Sequence, residues 1–189
     1  MNGNAVWEAL TQKARELGAD RAAVIDARSV VTDPVFRNMC ASNQCGRYGT
    51  CYMCPPDVGG IDELIKCLSY YSHVLVYQTV SRLEDSFDIE GMQEARNRHT
   101  RLSQALRRRL DERILPDALH LSVGACGICP TCAKMTGEKC RFPDLATASL
   151  EAYGINVSAL ARTAGMNYVN GQNTVTYFGA IFFNQENLV

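Results

Sequence analysis

Val6, Leu10, Ala14 and Leu17 recur at the spacing of one helix face before Gly18, and Ala22 to Ile25 follow as a short apolar run. The chain therefore opens with a helix leading into a strand. The unit repeats, with Ile61, Leu64, Ile65 and Leu68 on one helix face and Val74, Leu75, Val76 and Val80 reading as a buried strand. Asp88 to Ile114 is long and charged, with Met92, Ala95, Leu102, Leu106 and Leu110 on a single seam, which predicts an amphipathic helix. Ala118 to Val123 then alternates like a strand ending at Gly124. After Pro143 the pattern predicts a helix to about Tyr153, and Asn156 can cap another that stops at Gly165. Tyr168-Val169 and Thr174 to Phe183 flank Asn170-Gly171, a common hairpin-turn dipeptide, so the chain is expected to end in an antiparallel pair. These alternations predict an α/β (or α+β) fold, a mixed sheet of about five strands flanked by helices.

Periodicity fades from Ser29 to Gly60, where Gly46, Gly49, Pro55, Pro56, Gly59 and Gly60 punctuate an irregular segment. A loop that long inside a compact domain is usually functional. The chain has 189 residues, 47% of them hydrophobic, which fits a single domain over 1–189 with a sizeable core. A formal net charge of -1 offers no global field for nucleic acid or an anionic membrane. The longest apolar stretches, His73 to Val80 and Val175 to Phe183, are too short to span a bilayer. The segment after Met1 has neither a basic start nor an apolar run, so the expected location is cytoplasmic.

In that reducing setting the nine cysteines do not read as a disulfide scaffold. Four lie at Cys40, Cys45, Cys51 and Cys54, and four at Cys126, Cys129, Cys132 and Cys140, marking cysteine-rich loops at about 40–60 and 124–143. Cys67 stands apart on a helix face, where a free cysteine acts as a small core hydrophobe. The spacing Cys126-Gly-Ile-Cys129-Pro-Thr-Cys132, with Cys140-Arg-Phe-Pro143 returning a fourth thiolate, resembles the loop of a [4Fe-4S] ferredoxin site. A cubane takes one thiolate per iron from a loop wrapped around it. A zinc ion instead gathers four ligands at one point, usually from two separated pairs, and stays an alternative, as do plain buried thiols. The first set, Cys40-x4-Cys45-x5-Cys51-x2-Cys54-Pro-Pro, matches no common ferredoxin loop and is compatible with a second cluster, a zinc site or no separate metal.

Together, Leu17-Gly18-Ala19, Cys45-Gly-Arg-Tyr48-Gly49, Cys54-Pro-Pro, the Cys126 to Cys132 loop, Cys140-Arg-Phe-Pro143, Glu151-Ala-Tyr-Gly154-Ile-Asn-Val157 and Ala164-Gly165 resemble a family of cysteine-rich predicted metal-binding proteins. That family is a domain of unknown function frequent in anaerobic bacteria and archaea. The resemblance spans nearly the whole chain and implies metal binding, with iron-sulfur chemistry suggested by the ferredoxin-like loop, but no reaction. In the family pattern the position of Cys51 is commonly not cysteine, which makes Cys51 a conditional ligand.

His73, His99 and His120 are scattered, so no Cys/His nucleophile pair can be assembled from sequence. Arg96, Arg98, Arg101, Arg107, Arg108, Arg109 and Arg113 crowd one helix, which reads first as a solvated face, then as a dock for an acidic redox partner, and last as a nucleic-acid surface. The leading expectation is an iron-sulfur protein with two [4Fe-4S] clusters in electron transfer. The alternatives are an enzyme with an open iron for substrate or sulfide, and a zinc-stabilised binding module.

Overall fold

A computed structural model describes residues 3–110 and 114–184. It contains helices α1 (Gly3–Glu16), α2 (Val35–Ala41), α3 (Ile61–Leu68), α4 (Ile89–Arg109) and α5 (Val157–Thr163). Its strands are β1 (Arg21–Asp26), β2 (His73–Arg82), β3 (Leu119–Ser122), β4 (Ala148–Ser149) and β5 (Thr174–Phe183). They form one mixed sheet in the order β1-β2-β5-β3-β4, antiparallel throughout except for the parallel β3–β4 pair.

Both faces of the sheet are covered, which explains the continuous apolar run of β2. Leu75 and Tyr77 pack with Leu10 and Ala14 of α1 and with Leu102 and Leu106 of α4. Val74 and Val76 face the other way, into a cluster with Leu68 of α3, Leu160 of α5, and Phe178 and Phe182 of β5. The seam read from sequence on α4 is the buried one: Ala95, Leu102, Leu106 and Leu110 are all core residues. Asp88 caps this helix by accepting from the Gly91 N–H at 2.8 Å. Asp111, Glu112 and Arg113, at the end of the expected helix, lie outside the described residues.

Four local expectations fail. Segment 29–60 is not wholly irregular, since it contains α2, which carries Cys40. The helix expected after Pro143 is replaced by β4 and a 3-10 turn over Glu151–Tyr153, because the backbone of Ala148 and Ser149 pairs with Leu121 and Ser122 at the sheet edge. No terminal hairpin forms: Tyr168 stacks on Phe178 and pairs with no strand, and the first half of β5 pairs only with β2, since β3 reaches no farther than Ala180–Phe182. Cys67 is exposed on α3 rather than buried with Leu68.

Candidate metal centre

The first cysteine loop is held at both ends by one side chain. Arg37 on α2 donates from Nη1 to the Ala152 carbonyl at 2.9 Å and from Nη2 to the Gly59 carbonyl at 2.7 Å. Between these ends the chain folds back on itself, with the Gly49 N–H donating to the Pro55 carbonyl at 2.8 Å and the Cys54 N–H to the Cys51 carbonyl at 3.0 Å. Gly49 sits at φ +69°, a conformation that glycine adopts without strain. That last turn brings the Cys51 and Cys54 thiols into hydrogen-bond contact.

The second loop leaves β3 under the control of α4. Arg96 donates to the Ala125 carbonyl at 3.3 Å and lies against Gly124, where a Cβ would meet Nη2 at 3.0 Å; Gly124 also requires φ +63°. Within the loop, the Ile128 and Thr147 N–H groups donate to the Cys126 sulfur. Arg141 hydrogen-bonds Cys129, the Thr131 carbonyl at 3.3 Å and the Glu138 carboxylate at 2.7 Å. These contacts hold the sulfurs inward while adding positive charge beside them.

Two cross-links tie the loops together, and neither follows from a motif in the sequence. Tyr52, inside the Cys51-x2-Cys54 step, donates its hydroxyl to the Glu138 carbonyl at 2.7 Å. Asp57, just past the two prolines, pairs with Lys134, whose ammonium also lies 5.7 Å from the centre of the Tyr52 ring. Their only signal in the sequence is proximity to the cysteines, since the pairings span more than seventy residues.

Cys126, Cys129, Cys132 and Cys140 line one cavity together with Cys51, between the apolar side chains of Met53, Ile128, Phe142 and Ala146. The space enclosed is about 20 Å³, and among the described residues no three His, Cys, Asp or Glu side chains come together as one metal ion requires. The thiols surround a space rather than meeting at a point. Cys51, only 2% exposed, accepts from the Met53 and Cys126 N–H groups and hydrogen-bonds both Cys54 and Cys132. Chiefly through Cys54, its thiol is lowered to about 6 despite burial, whereas Cys54 is pushed far above the ordinary thiol range by Cys51 and by desolvation. The charges of Cys45 and Cys40 add to the rise at Cys54, and the set runs from the exposed Cys45 to the buried Cys51 and Cys54. Burial raises Cys40 and Cys126 as well, with Glu151 adding to the rise at Cys40. A set of thiols held this way, some resisting ionisation in one another's field, is one that a cation would stabilise.

The family model for predicted metal-binding proteins, DUF2284, matches residues 23–183, which include both cysteine loops and every strand but part of β1. The chain belongs to this family. No curated protein and no solved structure matches it. Metal binding is thus the family's predicted property, and in this DUF2284 member the thiols gathered by the two loops are the donors suited to it. The three histidines stand elsewhere. His73 stacks with Phe183, and His99, on α4, and His120, on β3, are buried.

The arginines of α4 are not simply a solvated face. Arg98 donates to the Val80 carbonyl at 3.0 Å, to the Gly18 carbonyl at 3.2 Å and to the Asp20 carboxylate at 3.0 Å. Arg107 donates to the Asp144 carbonyl at 2.6 Å, while Arg101, Arg108 and Arg109 are exposed. A cleft of about 730 Å³ opens beside the end of α4, with Arg107, Leu115, His120 and Asp144 among its walls and no cysteine among its described lining residues. Among the described residues no helix is long and apolar enough to cross a membrane.

Proposed function

We propose that this protein is an iron-sulfur protein of electron transfer, with a [4Fe-4S] cluster on Cys126, Cys129, Cys132 and Cys140 and a second on Cys40, Cys45, Cys51 and Cys54. The observation that carries the reading is the single cavity lined by all four thiols of the second set. Thiols placed around a space suit a cluster that takes one thiolate per iron; a zinc ion needs its four at one point. The cavity is smaller than a cubane, so it would have to widen to admit one. The Cys126 to Cys140 segment can yield, since its only regular element is the 3-10 turn Ala133–Thr136 and none of it lies in the sheet.

Bound there, a [4Fe-4S] cluster supplies one-electron transfer at a potential tuned by hydrogen bonds to sulfur, nearby charge and burial. The chain supplies all three influences. The Ile128 and Thr147 N–H groups and the Arg141 guanidinium donate to cysteine sulfurs, and Lys134 places positive charge beside Cys132. Phe142, part of the cavity wall yet 46% exposed, is a thin cover between the site and solvent. A redox protein partner would approach on this side, where the path from the sulfurs to the surface is short.

Anaerobic purification followed by iron, sulfide and zinc analysis tests the reading. Brown protein with iron and sulfide is expected, and colourless protein holding zinc would overturn it. Serine at Cys126, Cys129, Cys132 or Cys140 should each remove most of one cluster's iron and sulfide. Full retention in all four variants would reject the assignment of the second set.

A further inference from the structure

We infer that Cys51 joins the two thiol sets into one two-centre unit, as a ligand of the first centre and part of the wall of the second, so that an electron passes between the centres through this residue. The inference rests on the iron-sulfur reading and adds the relation between the sets. Five thiols line the second cavity, one more than a cubane takes, and four of them come from the 126–140 loop itself. Without Cys51 the first set has only Cys40, Cys45 and Cys54. Assigning Cys51 to the first centre completes that set and leaves the second complete, yet its sulfur stays in contact with the second through Cys132.

Cys51 is not simply packed as a core thiol. A core cysteine sits among apolar groups, whereas this one accepts two backbone N–H groups and touches a thiol of each set. The junction is also dry and braced. Cys51 and Cys54 are 2% and 8% exposed, and the Tyr52–Glu138 and Asp57–Lys134 links hold the two loops against each other beside them. Electronic coupling falls steeply with separation, so sulfurs in contact across a water-free wall form the short path. The electron balance is internal: one centre loses an electron as the other gains it, with no further reactant.

The test is electron paramagnetic resonance of the anaerobically purified full chain, reduced stepwise with dithionite, beside iron and sulfide content. At full reduction the parent should show a spectrum broadened by spin–spin interaction, distinct from the half-reduced one. Cys51→Ser and Cys45→Ser should each lower the iron and sulfide to about half, that of one centre, and leave the narrow signal of an isolated second cluster. The parent measurement needs no variant to fold. Two loaded centres whose signals add independently would overturn the inference and leave the iron-sulfur reading standing, whereas a parent holding iron for one centre only would overturn the inference together with the second cluster of that reading. A coupled spectrum that survives in Cys51→Ser would also overturn it. A parent with no iron or sulfide removes both.

Discussion

Lowering the pH from 7.5 to 5 is expected to remove about 4 kcal/mol from the stability of the fold, through two buried histidines, His99 on α4 and His120 on β3. His99 is lowered to about 4 by burial, with the Arg98 charge adding to it, and His120 to about 3 by burial, then Arg107 and His99. Each has one nitrogen engaged, His99 Nδ1 with the Thr79 hydroxyl at 2.9 Å and His120 Nε2 with the Tyr77 hydroxyl at 2.6 Å. The other nitrogen of each ring is buried: His120 Nδ1 has no partner, and at His99 the Phe178 backbone favours the charged form but offsets burial only in part. A proton added to either ring would create a buried charge whose desolvation is not compensated. The unfolded chain has no such penalty and takes up protons near pH 6.5. Stability from these groups is therefore fully present above pH 6.5 and is lost as pH falls toward the folded values. At pH 5 both rings are still neutral in the fold, so each contributes about 1.4 kcal/mol per pH unit over about 1.5 units. Burial raises the Glu151 carboxyl, which acts in the opposite direction, whereas Glu16, Asp88 and Glu138 are held below the usual carboxylate range and matter only in stronger acid. Urea denaturation of the holoprotein at each pH, beside His99→Gln and His120→Gln, separates this effect from acid release of metal. Each variant should lose about 1.4 kcal/mol per unit of the slope between pH 6.5 and 5, even if it is less stable at pH 7.5. Parallel slopes in parent and variants would show that the histidines are not the cause.

The apolar seams that were legible in sequence belong to elements whose partner is the core as a whole. Leu10, Ala14, Leu68, Leu102 and Leu106 are buried whichever strand they meet, so the periods of α1, α3 and α4 survive in the fold. What was not legible depended on one particular distant partner. Leu145 to Tyr153 has apolar spacing that suits a helix, but Leu121 and Ser122 offer an open sheet edge, and Ala148 and Ser149 take it. Asn170-Gly171 is a good hairpin turn, but Tyr168 lays its ring on Phe178, a contact that no local pattern announces. The cysteines divide in the same way. Clustering along the chain separated two sets of four, but it could not tell on which side of a turn Cys51 would face. The fold sets it in the second cavity while the Cys51–Cys54 turn keeps it beside the first set. Tyr52, Asp57, Lys134 and Glu138, which hold the loops together, have no periodic signature because each needs only its one partner.

Gly179→Ala is expected to destabilise the protein by about 3 kcal/mol, although alanine is normally the better residue inside a strand. The reason lies in the strand order. β5 runs between β2 and β3, with Gly179 opposite Tyr77, and the Tyr77 side chain crosses β5 to reach His120 on β3. A Cβ at Gly179 would lie 2.2 Å from the Tyr77 hydroxyl and from the ring carbon that bears it. Tyr77 has nowhere to withdraw, being fully buried, stacked on His99 at 5.4 Å and bonded to Ser103 at 2.8 Å and to His120 at 2.6 Å. Ser103 in turn meets Ser122 at 2.7 Å, so displacing the tyrosine strands polar groups along the whole line between α4 and β3. The loop that begins at Gly124 departs two residues beyond Ser122, so metal should be released at lower urea in the variant than in the parent. A double-mutant cycle decides whether the clash is the cause. In a Tyr77→Ala background the space over Gly179 is vacant, and adding Gly179→Ala should cost less than about 0.5 kcal/mol or stabilise slightly, by partly filling a cavity and stiffening the strand. Equal cost in both backgrounds would place the defect in the backbone of β5 and not in the tyrosine that crosses it.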